Sequence, residues 1–240
     1  MRLIGLVMIL GLAAPLVAGA NDAAPPRASV IVGDGTINGL FLKPYNNVWA
    51  MTAHRRSDGK TKFIGLWTDH LEQIRIGEIE ADLRVQGMTY VNGITSATYN
   101  AFDPTSLRPY WSQTNKTTGE VFHRDFSGKH ITSSTSHLGA NDAQKHEFDL
   151  PSEAYDFDGG MYGLVLAGLP LKPGLTGTIP SIAEFDDVPV TRSYRVLREE
   201  DISAGPLGKV KAWAQMAGCA VLFLLRIVPN TRSHSAKLCP

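Results

Sequence analysis

The sequence predicts a mainly β protein, in the form of a curved antiparallel sheet or half-open β-barrel with one short covering helix. Runs of alternating polar and apolar residues are separated by turn signals at regular spacing, which is typical of an antiparallel meander. No long amphipathic helical pattern appears. One stretch, "YDFDGGMYGLVLAGLPLKPG" at residues 155–174, breaks the alternation and predicts the helix.

The first twenty residues, "MRLIGLVMILGLAAPLVAGA", carry one positive charge, an apolar run and small residues in an A-x-A arrangement. This pattern predicts a signal peptide over residues 1–20, cleaved after Ala20. The apolar run is shorter than the roughly 20 residues that a membrane-spanning helix needs. We therefore expect a periplasmic or secreted protein with no stable membrane span after cleavage.

Residues 21–217 are predicted to form a single β-rich domain. Lysine plus arginine and aspartate plus glutamate number 23 each, so the charge balance gives no reason to expect nucleic acid as a partner. The two cysteines, Cys219 and Cys239, are too few and too isolated for a disulfide scaffold or a zinc site. No cofactor is indicated.

Within several pairs of predicted strands, a short turn joins one strand to the next. Asp58-Gly59 joins the first hairpin, and Asp103-Pro104 turns the chain between the next two strands. In chain order the predicted strands cover residues 47–55, 61–70, 94–102, 107–114, 120–126, 176–182, 191–200 and 207–216.

A helix is predicted at residues 160–169. Its apolar side chains recur at three- and four-residue spacing: Met161, Leu164, Val165 and Leu169. The carboxylate of Asp156 or Asp158 is expected to cap its start, and Pro170 prevents its continuation. Two interpretations stay open: the helix fills the core, or it covers an apolar cavity that is the functional site.

Three histidines, at positions 123, 130 and 137, recur every seven residues. If Ser127-Gly128 closes a two-residue hairpin, Asp125 lies opposite His130, and His123, Asp125 and His130 share one face. The other face then carries Phe122, Phe126 and Ile131, which makes it the buried one. The ligand types suit a metal, but no dense spacing supports a site, so none is assigned.

Other motifs that would indicate an enzyme are missing or mismatched. Glycines at 33, 35 and 39 resemble a dinucleotide fingerprint, but the third is one residue late and no helix pattern follows. The sequence contains no G-x-S-x-G, H-E-x-x-H or P-loop pattern. No catalytic residue is assigned, and a non-enzymatic protein is favoured.

The stretch "DFDGGMYGLVLAGLPLKPG", preceded by "TYNAFDPTSLRPYWSQ" and "GEVFHRDFSGKHIT", resembles bacterial exported β-rich domains of unknown function that carry an "LPLKPG" element. The resemblance covers residues 89–211. It implies a fold distantly similar to periplasmic lipoprotein carriers, in which a curved sheet wraps an apolar cavity covered by a helix. It implies no catalytic residues.

The last part of the chain, residues 218–240, departs from that family pattern. It reads "GCAVLFLLRIVPNTRSHSAKLCP", which we interpret as a divergent C-terminal strand followed by a tail. A change of reading frame in the gene is the alternative explanation for this shift in composition and for both late cysteines.

These observations favour a periplasmic binding or carrier-like domain for an apolar ligand, such as a lipid, or for an envelope protein. Two alternatives stay open: an envelope hydrolase or metal-dependent enzyme using His123, Asp125 and His130, and a structural envelope assembly protein that uses a sheet edge. Each candidate ligand-binding residue, taken singly, could simply belong to the core. The candidates are Trp67, Trp111, Phe122, Phe126, Met161, Val165 and Leu169.

Overall fold

The structure is a computed structural model. It describes residues 27–55, 57–139, 143–182, 187–203, 209–217 and 220–225, with side chains described between residues 29 and 201 of these ranges. The predicted signal peptide, both cysteines and the predicted tail beyond residue 225 lie outside the described residues.

The larger of two sheets is an antiparallel meander of eight strands that pair in chain order. Its strands are β2 (Tyr45–His54), β3 (Thr61–Ile76), β4 (Ile79–Tyr90), β5 (Thr95–Phe102), β6 (Pro109–Lys116), β7 (Glu120–Ser127), β8 (His130–His137) and β9 (Gln144–Asp149). Within the described part of the chain, β2 and β9 do not pair with each other, so the sheet is open. This arrangement confirms the predicted mainly β fold.

The smaller sheet has six strands in the order β1-β11-β12-β13-β14, with β10 also pairing with β11. Its strands are β1 (Arg27–Ser29), β10 (Tyr155–Asp156), β11 (Thr176–Ile182), β12 (Pro189–Ser203), β13 (Lys209–Ala217) and β14 (Ala220–Leu225). Both β1 and β10 run parallel to β11, and the other pairs are antiparallel.

The predicted helix is present as α1 (Met161–Ala167), which directly follows a 3₁₀ turn at Asp158–Gly160. The prediction that Asp156 or Asp158 caps it is wrong. Gly160 occupies the N-cap position in the left-handed conformation, and no side chain makes a cap hydrogen bond there. Both carboxylates instead contact an arginine of the larger sheet, as described below.

The hairpin formed by β7 and β8 turns one residue later than predicted, at residues 128–129, so Asp125 lies opposite Thr132 rather than His130. The predicted division of faces nevertheless holds. Ile131 is fully buried and Phe122 is 6 % exposed, whereas His123 and Asp125 lie on the opposite face.

The main core lies where α1 and the smaller sheet meet one end of the larger sheet. Met161, Val165 and Leu169 from the helical stripe pack there with Phe102 of β5 and Ile179 of β11. A second cluster, around Ile131 and Ile182, joins β8 to β11. The two clusters together hold the helix and the smaller sheet against one face of the larger sheet, called here the inner face.

Candidate functional site

The middle of the inner face is polar, although it is covered. Residues paired directly across an antiparallel sheet point to the same side, and the register aligns two buried polar rows from β4 to β7. One row contains Arg84, Asn100, Ser112 and Arg124, and the next contains Gln86, Thr98 and Thr114. Burial of this many polar groups demands partners from whatever covers them.

One partner is the acidic loop, residues 156–160, which links β10 to α1. Arg124 is completely buried, and its Nη1 lies 3.1 Å from Asp156 Oδ1 and 3.3 Å from Asp158 Oδ2. Its Nη2 lies 3.1 Å from Asp187 Oδ1. A buried charge is costly unless it is paired, so these contacts fix the acidic loop to the inner face.

A second buried arginine, Arg84, holds the other end of the acidic loop. Its Nε and Nη2 donate to the two oxygens of Asp69 at 2.9 and 2.7 Å, and its Nη1 donates to the Gly160 carbonyl at 3.2 Å. Burial alone would lower the pKa of Arg84, but the hydrogen bonds and charge of Asp69 outweigh burial and raise it. Arg84 therefore remains a cation in its buried position.

Tyr45 completes this second cluster by donating from its hydroxyl to Asp69 Oδ1 at 3.1 Å. Burial raises the pKa of Tyr45 to about 12, with the charge of Arg84 acting against the shift and that of Asp69 adding to it. The hydroxyl therefore stays protonated near neutral pH and keeps donating. This bond ties the edge strand β2 to the residues that hold the loop.

Two glycines let the acidic loop lie close to the sheet. Gly159 and Gly160 have φ of 60° and 69°, a left-handed region that favours glycine. A β-carbon on Gly159 would lie 2.7 Å from Thr98 Cγ2 and 2.8 Å from Asn100 Oδ1. The loop backbone therefore rests directly on the polar rows.

A cavity of about 390 Å³ lies between the inner face and the glycine end of the acidic loop. Most of its wall is apolar, with large side chains from β2, β3 and β4 and from the start of α1. The lining residues are Trp49, Ala50, Met51, Thr52, Ile64, Trp67, Gln86, Met88, Ser96, Thr98, Thr114, Gly159, Gly160 and Tyr162. Among these described lining residues, none carries a charge.

The polar end of the cavity is the row Gln86, Thr98 and Thr114. The two threonine hydroxyls lie 3.0 Å apart and hydrogen-bond to each other. Gln86 is 5 % exposed, and its Nε2 is buried without a hydrogen-bond partner among the described residues. Polar side chains thus form one end of an otherwise apolar chamber.

Of the predicted ligand-binding residues, Trp67 lines this cavity. Met161, Val165 and Leu169 lie in the main core and do not belong to the cavity lining. Tyr162, which follows Met161, provides the helix's side chain at the cavity. The structure therefore places the apolar stripe of the helix in the core and a neighbouring face of the helix at the cavity.

The three remaining candidates lie away from the cavity. Phe122 is on the inner face, where the Arg124 guanidinium lies 4.8 Å from its ring centroid. Phe126 packs on the second core cluster. Trp111 is on the outer face, where it stacks with His123 at a ring separation of 6.1 Å.

The structure does not bring together the three residues proposed for catalysis. His123 Nε2 lies 3.1 Å from Asp125 Oδ2, but His130 pairs through Nδ1 with Asp149 at 3.0 Å. In the described part of the chain, no group of three or more histidine, cysteine, aspartate or glutamate side chains is placed to hold a metal ion. No helix among the described residues is long and apolar enough to cross a membrane.

Arg84, Gln86 and Arg124 are site residues that were not predicted from the sequence. A signal for Arg124 was present, because it stands between Phe122 and Phe126 on the face that alternation assigns to the core. An arginine at a core position requires an acidic partner, and the "DFD" of the acidic loop supplies one. Gln86 has no comparable signal, since an isolated glutamine is common on strands that face solvent.

Comparison with known families gives one match. Residues 64–215, more than half of the chain, match the model of the family described as "Protein of unknown function (DUF3108)". This confirms a domain of unknown function, as the resemblance over residues 89–211 predicted. No curated protein and no solved structure matches the chain.

Proposed function

The chain belongs to the DUF3108 family, and we propose that it is a non-enzymatic binding domain that holds an apolar molecule in the cavity under the acidic loop. The observation that carries the proposal is the cavity itself. Its volume of about 390 Å³ falls within the roughly 300–1,000 Å³ typical of small-molecule sites. Its wall is mainly apolar, with a few polar groups at one end, which is the usual composition of such sites.

The architecture around the cavity also supports binding. The roof is held by two buried arginines rather than by apolar packing alone, so the chamber keeps its shape when it is empty. A preformed chamber costs less conformational entropy on binding than one that must be assembled. Neither arginine belongs to the cavity lining, so both charges hold the structure around the cavity rather than contact the ligand.

The proposed setting is the periplasm or the medium, where a lipid or another apolar molecule requires a protein to shield it from water. This part of the proposal rests on the N-terminal sequence pattern. A binding domain there needs no cofactor.

A fluorescence titration with the neutral apolar dye N-phenyl-1-naphthylamine tests the proposal. We expect saturable binding of one dye per chain, and we expect Ser96→Phe to weaken it. Ser96 lines the cavity, so a phenylalanine there occupies ligand space. The matched control is Ala97→Phe, because Ala97 is the next residue of β5 and points to the other face.

The two variants separate the cavity from other surfaces. Equal loss of dye binding in both variants would indicate general damage to the sheet, which circular dichroism and melting would report. Unchanged binding in Ser96→Phe would assign the dye to another surface. Absence of any saturable dye binding to the purified wild-type chain would refute the proposed function.

A further inference from the structure

We propose that the protein forms a two-fold symmetric dimer in which strand β2 pairs antiparallel with β2 of a second copy of the chain. On one side β2 pairs with β3, and among the described strands none pairs with its other side. An edge strand presents unpaired backbone N–H and C=O groups that can hydrogen-bond to another chain. The larger sheets of two copies would then be continuous.

Strand β2 lacks the features by which proteins protect an edge from pairing. Protected edges are commonly short, or carry charged residues or proline. Strand β2, "YNNVWAMTAH", is ten residues long and contains no proline, lysine, arginine, aspartate or glutamate. The opposite edge, β9, is six residues long and carries Lys145, Glu147 and Asp149. The contrast indicates that β9 is the protected edge and that β2 is the edge that pairs.

The apolar side chains of β2 are left partly exposed. None of its ten residues is fully buried, although Trp49 and Met51 point to the inner face, where Trp67 lies opposite Trp49. The register shift in the hairpin of β2 and β3 places the extra residue, Ile64, in β3, so β2 itself stays regular. A strand added beside β2 would bury more of these apolar side chains and so favour pairing.

The cavity also reaches this edge. In β4 and β5 the lining residues are two positions apart, as expected where only inner-face side chains contact the cavity. In β2 four consecutive residues, 49–52, line it. The cavity therefore lies against the backbone of β2 as well as its inner-face side chains. The edge strand is thus the side wall of the cavity, and a second copy would place its own β2 directly beyond that wall.

Two copies of β2 are compatible in face and in charge. Antiparallel partners keep inner-face residues opposite one another, and a two-fold axis through Ala50 satisfies this requirement. Trp49 then lies opposite Met51 of the second copy, beside both cavities, and His54 lies opposite Asn46, so no like charges meet. Such pairing uses the same edge of each copy. Because β9 is protected, the assembly closes at two chains.

Sedimentation equilibrium of the purified chain tests the dimer, with Cys219 and Cys239 replaced by serine to exclude disulfide-linked association. We expect a reversible monomer–dimer equilibrium. Ala50→Lys should raise its dissociation constant at least about tenfold, because two like charges then face each other at the axis. The matched control is Leu66→Lys. Leu66 lies opposite Ala50 on β3, one strand inside the edge and partly exposed, so this variant should keep the wild-type constant.

A charge exchange gives an independent measurement. Ala50→Glu alone should also weaken the dimer, whereas an equimolar mixture of Ala50→Lys and Ala50→Glu should associate at least about tenfold more tightly than either variant alone. Circular dichroism verifies folding. If the charged variants do not fold, Ala50→Cys decides, because residues paired across the axis lie within disulfide reach. Thr52→Cys, which faces Val48 of the second copy, should not cross-link on oxidation.

Three results would overturn the dimer. The first is a chain that stays monomeric at every concentration, or that grows beyond two copies. The second is an equal dissociation constant for Ala50→Lys and Leu66→Lys, which would assign association to another surface. The third is a mixture no tighter than its components or, in the cysteine experiment, equal cross-linking of Ala50→Cys and Thr52→Cys. None of these results bears on the proposed ligand, because association is measured without it.

Discussion

Replacing Arg124 with methionine should destabilise the domain severely and free the acidic loop. The side chain is completely buried and contacts Asp156, Asp158 and Asp187 at 3.1 to 3.3 Å. Methionine fills much of the volume but leaves carboxylates buried without their counter-charge. Breaking a buried ion pair by removing one partner costs about 3–5 kcal/mol.

That cost is a large part of the total stability, since the free energy of unfolding of a domain is about 5–15 kcal/mol. A matched control is Arg108→Met, because Arg108 pairs with Glu153 at 2.8 Å while its side chain is 44 % exposed. Exposed ion pairs contribute about 0–1 kcal/mol. The difference between the two variants therefore reports burial, since both lose an arginine.

Urea unfolding followed by circular dichroism measures both variants, with the free energy of unfolding taken from the midpoint and slope. Adding Asp156→Asn and Asp158→Asn to Arg124→Met should recover part of the loss, because the stranded charges are removed with their partner. A loss below about 1 kcal/mol in Arg124→Met, as expected for an exposed pair, would refute the role given to this cluster. Strict additivity of the three substitutions would contradict the charge argument.

Gly159→Ala should lower the free energy of unfolding by at least about 1–2 kcal/mol, because an alanine there is strained at positive φ and its β-carbon meets Thr98. The control is Gly163→Ala, within α1, where a β-carbon has open space. In the same urea assay this variant should raise the free energy of unfolding by up to about 1 kcal/mol. Burial alone would raise the pKa of Asp103, but hydrogen bonds from the turn after β5 lower it. The ionised Asp103 carboxylate therefore stabilises the folded protein above the pKa that Asp103 has in the unfolded chain, and this stabilisation is lost as the pH falls through its pKa in the folded protein. Asp103→Asn should therefore destabilise the protein at pH 7 and match wild type near pH 2, and an equal difference at both pH values would contradict this. N-terminal sequencing of the exported protein should begin at Asn21, and a sequence that still starts with the first methionine would exclude cleavage.

Much of the fold could be predicted because strand alternation and turn residues are local signals. The hairpin of β2 and β3 follows from alternating runs around Asp58-Gly59, and the structure pairs these two strands, although β3 continues past the predicted end at residue 70 to Ile76. The smaller sheet was harder, because β1 and β11 are separated by most of the chain and pair in parallel. No local pattern specifies a partner at that distance.

The site was predicted less well than the fold, for a reason visible in the helix. Apolar periodicity located α1 and its buried stripe, yet that stripe packs in the core, and the cavity is lined instead by Tyr162 and by β-strand residues. Periodicity identifies the face of an element that avoids water, and a core and an apolar chamber satisfy it equally.

The acidic loop shows what a sequence argument would have needed in order to find the site. The sequence predicts Asp156 or Asp158 as a cap, because a carboxylate before a helix usually accepts hydrogen bonds from the free N–H groups there. That assignment leaves Arg124 as a cation at a core position with no counter-charge. A single pairing explains both the buried arginine and the acidic loop, because Arg124 of β7 requires the carboxylates of the loop. The same pairing brings Gly159 into contact with Thr98 and closes the chamber above Gln86. The polar inner face is therefore the feature that positions the roof, and the apolar cavity is the space that remains beside it.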